Sequence, residues 1–129
     1  MTATVFGAVV YARDPERVAE FYSRVACLAL ARREETFVQL RAGAIELVVH
    51  RIPPPIAAGI HVAEPPRRRE DAAVKLVFAV DSIAAARAGA AALGGVIDPV
   101  EREWTFDGLT ICDGHDPEGN VIQLRQRLA

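Results

Sequence analysis

The stretch DPEGNVIQL, Asp116 to Leu124, decides the fold. Pro117 and Gly119 interrupt regular structure, and the alternation that begins at Val121 starts a strand, so the stretch reads as a tight turn feeding a strand. A counterpart lies far upstream in AGAIEL, Ala42 to Leu47, where a glycine turn again opens a strand of the same pattern. Superposing AIEL on VIQL sets Glu46 against Gln123. A carboxylate in one copy and a neutral amide in the other raises the question of what both positions are for.

Reading outward, each copy is the end of a longer unit. Thr4 to Tyr11, TVFGAVVY, is rich in β-branched and aromatic residues and predicts a strand. In RDPERVAEFYSRVACL, Asp14 suits an N-cap and Pro15 the first helical position. Val18, Phe21, Tyr22 and Val25 then follow helical spacing and make one apolar face. LALARR, TFVQLRA and AIELVVHR predict three strands, with a hairpin at Ala42-Gly43. The second half runs the same course. AVKLVFAV (73–80) is a strand, and DSIAAARAGAAALGG (81–95) an alanine-rich helix capped by Ser82 and stopped by Gly94-Gly95. VIDPVERE, LTICDG and NVIQLRQR are three further strands. The whole is a βαβββ unit written twice, and such a repeat constrains the fold class.

The expected class is α+β: two βαβββ modules forming a curved mixed sheet around a groove, in a single domain over 1–129. The first module covers 4–51, the connector 52–72 and the second module 73–128. The connector holds five of the eight prolines, which bars a central strand or a long helix there. It is expected either to strap one end of the domain or to be a plain linker.

Composition narrows the function classes. Of 129 residues, 51% are hydrophobic and 25% charged, an ordinary globular balance. A formal net charge of −2 offers no global field to recruit nucleic acid or anionic lipid. The one basic run, Arg67 to Arg69, is followed by Glu70 and Asp71 and reads as a solvated loop. No apolar run approaches bilayer length. The opening MTATVFGAVVYARD lacks a signal peptide's charged segment and cleavage site, so a cytoplasmic location is expected. Cys27 and Cys112 stand alone, without a CxxC pattern, and are expected to be small buried apolar residues.

Strand alternation assigns faces. Counting seven residues back from each helix cap, Asp14 and Ser82, gives Gly7 and Lys75. Glu46, Val48 and His50 oppose Ile45, Leu47 and Val49, and Gln123 and Arg125 oppose Ile122 and Leu124. The uniformly apolar faces belong under the helices. Gly7, Glu46, Lys75 and Gln123 are then expected to meet in one groove, provided the two halves close on each other.

VVYARDPERVAEFYSRV and DGHDPEGNVIQLRQR resemble the vicinal oxygen chelate superfamily, which includes glyoxalase I, bleomycin-resistance proteins and extradiol dioxygenases. In its metal-using members four groove positions supply divalent-metal ligands, usually His and Glu. Carried over here, those positions look like Gly7, Glu46, Lys75 and Gln123, of which only Glu46 is a normal ligand. The resemblance therefore implies a site without a metal (metal ligands: none; cofactors: none). Going beyond it, Lys75 is expected either to take over the positive charge and pair with Glu46, with Gln123 bonded to one of them, or to extend outward and leave Glu46 to water.

His50 shares the face of Glu46, and these two are the acid–base candidates for any catalysis. His61 falls in the connector, and His115 is expected on an exposed turn. Trp104, with Phe106, is a candidate for stacking on a flat ligand, and Arg41 and Arg125 for holding a carboxylate. The ligand-binding groove is thus expected to comprise Glu46, His50, Lys75, Trp104 and Gln123. The expected function is a homodimeric, glyoxalase/bleomycin-resistance-like protein that binds a small molecule without metal catalysis. The alternatives are a metal-dependent lyase, isomerase or dioxygenase of the glyoxalase type and, more weakly, an interaction module.

Overall fold

The computed structural model describes residues 3–128. β1 (Phe6–Ala12) leads into α1 (Pro15–Val25), followed by β2 (Ala29–Arg33), β3 (Phe37–Ala42) and β4 (Ile45–Arg51). A four-residue helix α2 (Pro54–Ala57) lies in the connector. The second half contains β5 (Leu76–Ala79), α3 (Ile83–Ala92), β6 (Val96–Ile97), β7 (Trp104–Phe106), β8 (Leu109–His115) and β9 (Val121–Arg127).

The mixed strands divide into two sheets, one from each half. The first has the order β1-β4-β3-β2 and the second β5-β9-β8-β6, with β7 paired to β8. β1 runs parallel to β4 and β5 parallel to β9, while the other pairings are antiparallel. This is the α+β architecture of the repeat, with one departure. VIDPVERE forms only the two-residue β6 before Pro99 and a 3₁₀ turn at Val100–Arg102 divert the chain. The next residues supply an extra strand, β7, joined to β8 by a hairpin at Asp107-Gly108, where both residues have positive φ (52° and 74°).

The helices form where the sequence places them. Asp14 Oδ1 accepts the Arg17 amide at 3.2 Å, and Ser82 Oγ accepts the Ala85 amide at 3.0 Å. Val18, Phe21, Tyr22 and Val25 of α1 are buried, as are Ile83, Ala86 and Ala90 of α3. α1 packs on the first sheet, α3 packs on the second, and the two helices touch each other. One apolar cluster includes Tyr22, Val38, Leu47 and Val49 from the first half and Ile83, Ile122 and Leu124 from the second. The alanines of α3 permit the close approach, and at Gly95 an added Cβ would lie 2.3 Å from the Phe21 ring.

The DPEGN turn is the buried rivet between the halves. Asp116 is 0% exposed. Its carboxylate accepts the Tyr22 hydroxyl at 2.7 Å, the amides of Glu118 and Asn120, and the Asn120 side-chain amide. Glu118 accepts the amides of Arg13 (2.9 Å) and Asp14 (2.8 Å) at the head of α1. His115, expected on an exposed turn, is 6% exposed because β8 runs through it before the turn begins. Cys112 is buried as expected. Cys27 is exposed, since it takes the left-handed conformation (φ 59°) just past α1 and points outward.

The connector is an ordered strap. Arg68 reaches both carboxylate oxygens of Asp98 at 3.1 and 2.6 Å, Arg17 both oxygens of Glu64, and the Arg69 amide donates to Gly119 O at 2.9 Å. Among the described residues no helix is long and apolar enough to cross a membrane.

Candidate functional site

Each sheet turns one face to the helices and leaves the other bare. On the first sheet the cross-strand register places Gly7, Glu46 and Arg41 in one row and Tyr11, His50 and Phe37 in another, both on the open face. On the second, Val77, Gln123 and Asp113 share a row, with Ile111, Arg125 and Trp104 in the row beside it. Residues opposite each other across strands point to the same side, so the members of each row are neighbours on one face.

This register corrects the count from the helix caps. The residue that faces Gln123 as Gly7 faces Glu46 is Val77; Lys75 lies one pleat earlier, before β5 begins. The cap-to-strand distance differs between the two halves, and strand pairing decides which side chains are neighbours.

The expected Lys75–Glu46 pair does not form. Lys75 Nζ donates to Asp113 Oδ2 at 2.8 Å, and its side chain is 42% exposed. Gln123 Nε2 donates to Asp113 Oδ1 at 3.2 Å, while its carbonyl accepts Arg125 Nε at 2.9 Å. The amide is therefore held between Asp113 and Arg125 and bonds neither Lys75 nor Glu46. Glu46 belongs to a separate cluster on the other sheet. Its Oε2 accepts the Thr4 hydroxyl at 2.5 Å and lies 3.4 Å from Arg41 Nη1. The Thr4 hydrogen bond, aided by Gln39 and Arg41 and opposed by partial desolvation, holds its carboxyl below the usual range.

The candidates thus form two polar clusters on two sheets, and the strands of one sheet make at most slight contact with those of the other. Asp113 is the central acceptor that sequence reasoning passed over. Asp113-Gly114 closes the expected strand LTICDG, and β8 runs one residue further, through His115, with Gly114 packed under Val96 O, 2.4 Å from where a Cβ would stand. The signal available was parity, since Asp113 is two residues from the apolar Ile111 on the same side.

Trp104 and His50 each sit on an open face. Trp104 is partly exposed over the buried Ile111 on the second sheet. His50 stands between Tyr11 (ring centroids 5.7 Å apart) and Phe37 (6.2 Å, planes within 12°) on the first, and Arg32 lies over the Phe37 ring at 5.9 Å. His61 is exposed in the strap.

The residues do not suit a divalent metal. Among the described residues no three His, Cys, Asp or Glu side chains gather into a cage. At the four implied positions, with Val77 in the place first given to Lys75, a glycine, a carboxylate shared with Thr4 and Arg41, an aliphatic side chain and an engaged amide supply too few ligand atoms.

The hollows of the chain mostly lie away from these rows. A cleft of about 490 Å³ separates α1 from β2 and β3, and one of about 700 Å³ lies under the strap. A smaller one of about 410 Å³ includes Lys75 and Asp113. Each bare sheet face is a single wall and encloses nothing by itself.

Comparison with known proteins matches residues 7–125 to a protein family described as a glyoxalase-like domain. A glyoxalase/bleomycin resistance protein from Albidiferax ferrireducens T118 is similar in structure, with a TM-score of 0.65, 21% identity, and 95% of this chain and 97% of that one covered. A glyoxalase/bleomycin resistance protein/dioxygenase family enzyme from Burkholderia phytofirmans PsJN superposes with a TM-score of 0.68 at 18% identity, over 98% of this chain and 100% of that one. A bleomycin resistance determinant encoded on the transposon Tn5 gives 0.59 at 18% identity, over 95% and 97%. No curated protein matches the sequence.

Proposed function

The chain belongs to the glyoxalase-like domain family, and from that premise we propose that it binds a small organic molecule in a groove, without a metal taking part, as a cytoplasmic homodimer. The observation that carries this reading is the pair of bare sheet faces. Each bears a polar cluster ringed by exposed apolar side chains: Val9 and Tyr11 on the first sheet, Val77 and Trp104 on the second. A concave, largely apolar site with a few polar anchors is what small-molecule recognition requires. In one chain the helices stand between the halves, so a second copy is needed to set one open face against the other. The groove residues proposed are Glu46, His50, Lys75, Trp104 and Gln123, together with Asp113. Glu46 and His50 remain the acid–base candidates should turnover occur.

The test is the metal content of the purified protein, together with its melting temperature in the presence of Ni²⁺, Zn²⁺, Mn²⁺ and Fe²⁺ and of a set of planar aromatic compounds. A ligand at a hundred times its Kd stabilises the native state by about 2.7 kcal/mol. A shift with an aromatic compound, and none with any metal, is the expected outcome. Stoichiometric bound metal, or strong stabilisation by one of the ions, would overturn the metal-free reading and favour the metal-dependent lyase, isomerase or dioxygenase.

A further inference from the structure

We infer that the Tyr11–His50–Phe37 row is the seat of a planar ring whose own N–H or O–H donates to His50 Nε2. The inference rests on the small-molecule reading and names both the place and the ligand chemistry.

Three rings from three adjacent strands line up on one open face because the register sets Tyr11 and Phe37 on either side of His50. Tyr11 is 60% exposed, and the histidine and Phe37 are half-buried. The Arg32 guanidinium lies over the Phe37 ring at one end of the row, and Tyr11 stands exposed at the other. A surface of this kind binds flat rings by offset or edge contacts.

His50 makes the seat directional. Its Nδ1 lies 2.7 Å from Arg51 O. A carbonyl only accepts, so Nδ1 carries the proton in this contact, and the tautomer that it selects has its lone pair on Nε2. No protein group among the described residues donates to that nitrogen. The seat therefore prefers a ring with a donor, a phenol or a heteroaromatic N–H, over the same ring with the donor capped. Glu46 lies on the same face of the same strand but is already engaged by Thr4 and Arg41, so of these two it is the imidazole that offers an acceptor to a ring in the row.

The experiment compares 2-naphthol with 2-methoxynaphthalene on the ¹⁵N-labelled full chain. A long-range ¹H–¹⁵N spectrum should first show His50 protonated at Nδ1 and bare at Nε2. 2-Naphthol should then perturb Tyr11, Phe37 and His50, shift the Nε2 resonance, and bind about three- to tenfold tighter than the ether, the range of one neutral hydrogen bond. His50→Phe keeps a ring and removes the acceptor, so it should bind both probes alike. Equal affinities of the wild type for the two probes would overturn the inference, and that comparison stands even if the variant does not fold. Perturbations confined to Trp104 and the second sheet would move the seat and leave the small-molecule reading intact. Failure of both probes to bind overturns the seat, while the melting-temperature set separately decides the reading beneath it.

Discussion

Tyr22 shows what one residue does for the joint between the halves. Its ring lies in the shared core, edge-on to Phe21 and beside Phe78 of the other half, and its hydroxyl donates to the buried Asp116. Burial first, and then the Asp116 charge and hydrogen bond, raise its pKa well above the ordinary value of 10.0. The unfolded chain therefore releases a proton that the folded chain keeps. The contribution of Tyr22 to stability is fully present below about pH 10 and falls as pH rises from there toward the folded value. Denaturant unfolding across alkaline pH should show this decline, and Tyr22→Phe should flatten it while lowering stability at neutral pH by about 1–3 kcal/mol through the lost hydrogen bond. An unchanged alkaline slope in the variant would refute the assignment. The capping residues Asp14 and Ser82 were legible in the sequence because a cap acts over three residues. The partner of Tyr22 was not, since it comes from the far end of the chain.

Among the elements, the strap depends on a glycine in the turn that opens β9. Gly119 has φ +86°, and a Cβ there would stand 2.0 Å from Arg67 O, in the backbone segment that bonds Gly119 through Arg69. Gly43, in the β3–β4 hairpin, also has positive φ (+59°) but open space around it. Gly43→Ala should cost only the left-handed backbone penalty, about 1–2 kcal/mol. Gly119→Ala should add about 1–3 kcal/mol of overpacking and lift the strap. Limited trypsin digestion then reads the difference, with cleavage at Arg67–Arg69 accelerated in Gly119→Ala and unchanged in Gly43→Ala. Equal digestion of the two would mean that the turn does not hold the strap. The proline-rich composition excluded regular structure here. It left strap and linker equally open, because what pins the segment is Arg68 on Asp98 and Arg17 on Glu64, contacts that composition does not encode.

For the molecule as a whole, the two open faces set the main expectation. Exposed apolar residues on both sheets, Val9 at 54% and Val77 at 46%, lie on β1 and β5, which are edge strands of their sheets. Apolar edge strands left open invite pairing with another chain. The proposed dimer predicts a solution mass about twice the 13.9 kDa of the chain by light scattering. Val77→Asp should shift it toward monomer without unfolding, since the residue is outside the core. A wild-type monomer at tens of micromolar would remove the second wall from the proposed groove.

By itself the sequence determined the repeat, the α+β class, both helices with their caps, and the alternation that separates core faces from open ones. All of these are set by neighbours within a turn or two of chain. Tertiary structure decided which side chains meet: Val77 in place of Lys75 opposite Gln123, Asp113 as the acceptor for Lys75, Glu46 bound instead to Thr4 and Arg41, and two sheets held apart by paired helices. Register and docking depend on contacts between residues distant in the chain, where a shift of one pleat exchanges every partner while the local pattern stays the same.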